Sequence, residues 1–344
     1  MKNKRFVANK KNGGVIPAIT DVRALYVKTE CGECIECLQR KANDWKVRMY
    51  EECKVRPNGR FVTLTFSNES IKELCEKKAT KYWDGLGHLT GYDVDNGIAS
   101  RAVYLWLERC RKKLKRQPRH WLVTELGHEG TENIHLHGIV WDDDYETVRG
   151  EWKYGIIWDG YENKESYVNE ATVNYIIGYV NKRDELHKHY KPKVYASKGI
   201  GAAYIEGVNK FKHSYRGNRT QDWYTTKEGY KIAMPKYYRR KLYSDEERED
   251  LWMTRLNEGK NYIRGEKVLN NEHELKLLEK HRKLNKFMGY GGDEKNEEEY
   301  EYEKMKREYM IRARIEESMK NENSSKIHRE LIEEEEFKEM YLRR

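Results

Sequence analysis

A chain of 344 residues is long enough for about two domains. Hydrophobic residues make up 38% and charged residues 36%, with 26 tyrosines against 6 phenylalanines, so much of the ordering must come from polar contacts and charged helices. No stretch approaches the roughly 18 consecutive apolar residues of a membrane-spanning helix. The basic start from Met1 to Lys11 runs into Asn12-Gly13-Gly14 with no signal-peptide core, which predicts a cytoplasmic protein with no membrane partner.

The formal charge of +9 is uneven. Residues Gly291 to Arg344 carry 17 acidic and 12 basic side chains, a net of −5 that leaves +14 on the preceding 290 residues. A folded region that basic predicts a polyanionic partner, nucleic acid first. Six cysteines in a reducing compartment predict thiols or metal ligands rather than a disulfide framework.

Cys34 to Cys53 reads as one helix, with Cys34, Leu38, Ala42, Trp45, Met49 and Cys53 recurring every three or four positions. After the Asn58-Gly59 turn, Phe61 to Phe66 has strand composition, placing Val62, Leu64 and Phe66 on one face and Thr63 and Thr65 on the other. A looser Gly-rich stretch from Tyr82 to Gly97 precedes a helix over Arg101 to Arg116, which Pro118 ends. Trp121 to Leu126 and Ile134 to Trp141 are strand-length apolar segments joined by a hairpin loop, and a third helix spans about Asn169 to Lys182. Strand, helix, strand, strand, helix resembles the split βαβ plan, in which helices cover one sheet face and the other is left for a ligand. Beyond Lys210 the chain is Tyr-rich and basic, and Glu-rich blocks after Gly291 read as solvated helix or disorder. Removing everything after Tyr290 is therefore expected to leave the chemistry intact.

His135 and His137 stand two apart on the second hairpin strand and project from the same face, opposite to Ile134, Leu136 and Val140. If Leu126 pairs with Ile134, Glu125 lies opposite His135 on that face. Two imidazoles and a carboxylate suit a catalytic Mg²⁺ or Mn²⁺, with Zn²⁺ also allowed by affinity. On the third helix Val173, Ile176, Ile177 and Val180 form one side, and Tyr175, Tyr179 and Lys182 the opposite one. Together these residues specify a reaction: a Tyr oxygen displaces one side of a DNA phosphodiester and keeps a covalent link, a metal neutralises the phosphate, and the lysine assists the phenol. A second tyrosine one turn away can attack a second junction while the first is loaded.

Three segments carry a resemblance to a known family. Phe61-Val62-Thr63-Leu64-Thr65, Ile134-His135-Leu136-His137 and Tyr175-Ile176-Ile177-Gly178-Tyr179-Val180-Asn181-Lys182 resemble, in order, the motifs of the HUH endonucleases, specifically the replication initiators of single-stranded DNA bacteriophages of the microvirus type. Cys31-Gly32-Glu33-Cys34-Ile35-Glu36-Cys37 before a Trp-containing helix, Ser197-Lys198-Gly199-Ile200-Gly201 and Pro235-Lys236-Tyr237-Tyr238 are similar to the gokushovirus-like branch. Glu132-Asn133-Ile134 departs from the Gly-Arg-Pro usual there.

The resemblance covers Cys31 to Tyr243 and implies an α+β fold, an RRM-like split βαβ catalytic domain around a central antiparallel sheet, with helical extensions at both ends. The corresponding organisation is a basic, Cys-containing helical region over 1–57, an HUH nicking-joining domain over 58–215, a basic Tyr-rich extension over 216–290 and a charged helical or disordered tail over 291–344. It implies a rolling-circle initiator in a bacterial cytoplasm that uses Mg²⁺ or Mn²⁺, with Tyr175 and Tyr179 as nucleophiles. Its partners would be single-stranded and origin DNA and a host helicase or polymerase.

Cys31, Cys34 and Cys37 read either as structural thiols or as three ligands of a zinc site completed by Cys53 or a histidine. Gly199-Ile200-Gly201 reads as a simple loop or as a phosphate-binding turn. Competing functions are an RRM-like nucleic-acid binding module without chemistry, a plasmid or transposon HUH relaxase, and a histidine-triad hydrolase, for which Ile139 stands where a third alternating histidine is needed.

Overall fold

The computed structural model describes residues 2–5, 14, 26–76, 89–128, 132–159, 168–259, 262–263, 266–290 and 297–320. In chain order the elements are β1 (Lys2–Arg5), β2 (Tyr26–Thr29), α1 (Ile35–Val55), β3 (Gly59–Leu64), α2 (Asn68–Glu76), α3 (Tyr92–Leu114), β4 (Arg119–Leu126), β5 (Ile134–Trp141), α4 (Tyr145–Gly150), β6 (Ile157–Trp158), α5 (Glu170–Asn181) and β7 (Val194–Ala196). A 3-10 turn (Ala202–Ile205) leads to α6 (Gly207–Lys212), β8 (Trp223–Thr225), β9 (Lys231–Ala233), α7 (Lys236–Leu242), α8 (Asp245–Asn257), β10 (Tyr262–Ile263), β11 (Glu266–Lys267), α9 (Asn271–Phe287) and α10 (Glu297–Lys320). The fold is α+β. Two compact units are formed, residues 49–201 with 294–344, and residues 1–48 with 202–293.

The first unit is built on an antiparallel sheet of order β6-β3-β5-β4-β7. β5 lies between β3 and β4, which therefore run parallel to each other across it, as a split βαβ unit requires. Alternation sends Val62, Leu64, Leu122, Leu126, Ile134, Leu136 and Val140 to one face, where they pack with Ile98, Ala99, Ala102, Val103, Trp106 and Cys110 of α3. Gly138 is needed on this face because a Cβ there would sit 2.1 Å from the Trp121 carbonyl oxygen. The opposite face is not left open along its whole length. Trp121, Val123 and Ile139 are fully buried on it, and α5 packs against β4 with Val173, Ile176, Ile177 and Val180 buried.

Two boundaries differ from the sequence expectation. α3 begins at Tyr92, so residues 92–97 of the supposed Gly-rich loop are helical, while residues 82–88 lie outside the described set. Its end is set at Lys115, which takes a left-handed conformation (φ 60°) ahead of Pro118. The charged carboxy-terminal segment is a helix over Glu297–Lys320, and it is packed rather than solvated. Arg307, 2% exposed, forms a fork to Asp95 of α3, with Nε and Nη2 each 2.8 Å from a carboxylate oxygen, and Nη2 also donates to the Glu132 carbonyl at 3.0 Å. Glu132 has φ 48°, unusual for a residue with a side chain, and this bond holds the β4–β5 loop in that conformation.

The second unit turns the tyrosine excess into a core. Val47, Tyr224, Met234, Tyr238, Tyr243 and Leu251 are buried together, with Tyr204 stacked on Tyr238 at 5.2 Å and bonded through its hydroxyl to His213 Nε2 at 3.0 Å. No helix among the described residues is long and apolar enough to cross a membrane.

Because Arg307 and Asp95 are both buried, removing the cation strands a charge. Arg307→Ala is expected to lower unfolding free energy by about 3–5 kcal/mol in urea titration, and truncation after Tyr290 to destabilise the first unit similarly, contrary to the expectation of a dispensable tail. A loss under about 1 kcal/mol for Arg307→Ala would contradict this reading of the pair.

Candidate active site

β4 and β5 pair with Leu126 opposite Ile134, Glu125 opposite His135 and Val123 opposite His137, the register that the loop length predicts. Glu125, His135 and His137 consequently emerge from one sheet face. One carboxylate oxygen, Glu125 Oε2, lies 3.0 Å from His135 Nε2 and 2.9 Å from His137 Nε2. Burial alone would raise the Glu125 pKa, but the two imidazoles outweigh it and hold the carboxyl down at about 2. Burial lowers the pKa of His137, favouring the neutral ring.

The remaining nitrogens orient the rings. His135 Nδ1 lies 3.3 Å from the Asn133 carbonyl oxygen, which can only accept, so Nδ1 carries the proton and Nε2 of the neutral ring presents a lone pair to the carboxylate. Two acceptors facing each other at 3.0 Å require a cation between them, either a proton or a metal. His137 Nδ1 is bonded to Thr63 Oγ1 at 2.9 Å across the β3–β5 pair. The three ligand atoms lie within 4.8 Å of one another, and their oxygen-and-imidazole chemistry fits a divalent metal with positions left for water or phosphate.

α5 brings the tyrosines over this cluster. Its start is fixed by a capping box, in which the Asn169 side chain accepts the Thr172 N–H and the Thr172 hydroxyl accepts the Asn169 N–H. The Tyr179 ring lies parallel to His137, with centroids 4.5 Å apart and planes 4° from coincidence. The Tyr175 and Tyr179 hydroxyls are 2.6 Å apart, so one phenol donates to the other. Tyr175 is 58% exposed, whereas burial, the Tyr175 contact and the Glu125 charge raise the pKa of Tyr179. Lys182 follows the last helical residue as C-cap and lines the same small cleft as Thr124, Glu125, His128 and Tyr179.

Several residues at this site escaped the sequence reading. Phe61 shares the Thr63 face, with its ring 6.1 Å from Tyr175 and 6.0 Å from the half-exposed Trp158 of the edge strand β6. Alternation from Thr63 would have found Phe61, but nothing local marks β6. A second cluster, His128, Asp184 and His187, has its ligand atoms within 4.8 Å of one another. His187 is held on both sides, with Nδ1 3.0 Å from Asp184 Oδ2 and Nε2 3.2 Å from Glu132 Oε2, and this geometry suits an imidazolium rather than a metal ligand. The Gly199-Ile200-Gly201 loop offers no free phosphate site at Gly201, whose N–H donates to Glu52 Oε2 at 2.7 Å.

The His187 contacts give a pH dependence. Burial would lower its pKa, but the Asp184 and Glu132 carboxylates outweigh burial and raise it to about 9 from an ordinary 6.5. A raised cation stabilises the fold fully below the unfolded value and ceases to do so as pH rises through the folded one. Melting temperature is expected to fall between about pH 6.5 and pH 9, and His187→Gln to flatten that slope. An identical slope in the variant would show that His187 does not carry the charge.

Residues 59–184 match the model of a family described as replication-associated proteins of the ORF2 kind. The matched span opens at the first residue of β3 and includes Glu125, His135, His137, Tyr175, Tyr179 and Lys182. No curated protein and no solved structure matches the chain.

Proposed function

We propose that this protein initiates rolling-circle replication by nicking single-stranded origin DNA with a tyrosine and later rejoining the strand. The observation that carries the reading is the convergence of two imidazoles on one Glu125 oxygen beneath a stacked tyrosine whose hydroxyl touches a second one. The match of residues 59–184 to replication-associated proteins supports it, as does the basic charge of the chain outside its carboxy-terminal segment. The microvirus-like motifs make a small phage genome in a bacterial cytoplasm the intended substrate, with a host helicase or polymerase as the following partner.

In this account Glu125, His135 and His137 hold Mg²⁺ or Mn²⁺, which supplies charge neutralisation at the scissile phosphate. Thr63 and the Asn133 carbonyl keep the two imidazoles aimed at that position. A tyrosine oxygen attacks phosphorus, the bond from phosphorus to the 3′ oxygen breaks, and the phenolic proton leaves as the 3′-hydroxyl is restored. The product is a 5′-phosphotyrosine, which conserves the bond energy for rejoining. Whichever tyrosine attacks, its neighbour's hydroxyl can donate to the developing phenolate at the 2.6 Å separation observed. Lys182, in the cleft with Tyr179, adds positive charge to phenol and phosphate.

Phe61, Trp158 and Tyr175 also form an aromatic surface of the kind that stacks bases, which suits a nucleic-acid binding module of the same fold. Covalent chemistry separates the two readings. With a labelled single-stranded origin library and Mn²⁺, His137→Ala is expected to reduce cleavage by about 100-fold or more while salt-sensitive binding persists. Undiminished cleavage by that variant or in EDTA would refute the metal role. Tyr175→Phe or Tyr179→Phe alone is expected to permit a first cut and block the full cut-and-rejoin cycle, Lys182→Ala to slow cleavage, and the double Phe variant to yield no product.

A further inference from the structure

The amino-terminal cysteines belong to the second unit and play no part in the chemistry above. Cys31 is exposed, Cys34 half-buried and Cys37 buried, so shared burial does not account for their meeting. Their sulfurs nevertheless lie within 4.8 Å of one another, with Cys31 Sγ and Cys37 Sγ 3.8 Å apart. A disulfide would bring two sulfurs to about 2 Å. A tetrahedral zinc with bonds of about 2.3 Å to sulfur instead sets a sulfur–sulfur edge of roughly 3.8 Å. The turn that gathers them uses Gly32 at φ 83°, and the Cys34 N–H donates to Cys31 Sγ at 3.3 Å, a bond that favours a thiolate.

A fourth ligand is indicated by an unmet group. His281 on α9 is 8% exposed, and neither ring nitrogen has a hydrogen-bond partner among the described residues. Burying an imidazole in that condition is costly unless something binds it. Leu277, His281 and Asn285 are the buried residues of α9, four apart on one face. The Asn285 side chain accepts the Ile35 N–H at 2.8 Å and donates to Glu36 Oε2 at 3.3 Å, which seats that face on the first turn of α1, between Cys34 and Cys37 in sequence. His281 stands one helical turn from this anchor, and the Asn285 amide also donates to the His281 carbonyl at 2.8 Å.

We infer that Cys31, Cys34, Cys37 and His281 bind one zinc ion in a closed structural site that clamps α9 to the start of α1. Binding replaces up to three thiol protons, which pass to solvent, and leaves no position open for water. Cys53, named with the histidines as an alternative fourth ligand, is not part of the cluster.

The test uses the full chain purified without chelator. Metal analysis is expected to find about one zinc per chain, and the zinc absorption edge to report three sulfurs and one imidazole nitrogen around it. A shell of that composition also distinguishes the site from Glu125, His135 and His137, which offer no sulfur. His281→Ala is expected to weaken zinc roughly tenfold or more against a competing chelator, while His273→Ala on the same helix leaves it unchanged. A chain that neither retains nor takes up zinc, a shell without imidazole, or equal affinity in His281→Ala would overturn the site. The spectrum of the unmutated chain decides the matter even where a variant fails to fold. Since nicking is not the readout, failure of the replication reading and failure of the zinc site are separate results.

Discussion

The pairing of β4 with β5 is the constraint on which the candidate site depends. Strand residues alternate faces, so a slip of one position would turn Glu125 toward α3 and leave His135 and His137 without their carboxylate. The core enforces the register, because Leu122, Leu126, Ile134, Leu136 and Val140 are apolar at every second position and fill the α3 side. Gly138 tightens it further by admitting only a position against the Trp121 backbone that no side chain would tolerate. Hydrophobic packing on one face thus fixes polar chemistry on the other.

A second constraint acts from the far end of the chain. Arg307 of α10 is bonded to Asp95 of α3 and to both the backbone and side chain of Glu132 in the β4–β5 loop. Glu132 in turn meets His187, which meets Asp184 three residues beyond the end of α5. The strand that presents the histidines and the helix that presents the tyrosines are tied into one charged network, buried enough for its pairs to count. The acidic character of the carboxy-terminal segment had pointed to solvent. Its one fully buried arginine shows why net charge is a poor guide to where a helix packs.

Local periodicity made much of this legible. The alternation in Phe61 to Leu64 and Ile134 to Trp141, the two faces of α5 and its Asn169 start are all short-range patterns, and the structure keeps them. The early turns of α3 were hidden because Gly91, Gly97 and three Asp or Asn residues look like a loop, yet Gly97 packs within the helix and Asp95 answers Arg307, 212 residues away. The Tyr core of the second unit was obscured for a related reason, since a phenol reads as half-polar until its hydroxyl finds a partner such as His213. His128, Asp184, His187 and His281 carry no revealing spacing. Only the fold brings the first three together, and only burial shows that the fourth lacks a partner.

Covalent attachment is the feature that no binding module shares. The most direct measurement is mass-spectrometric mapping of the peptide left linked to a single-stranded origin oligonucleotide after reaction in Mn²⁺. The account predicts a phosphotyrosine at Tyr175 or Tyr179, one turn apart above His137. Attachment at any other residue, or no covalent product from a folded and DNA-binding chain, would contradict it.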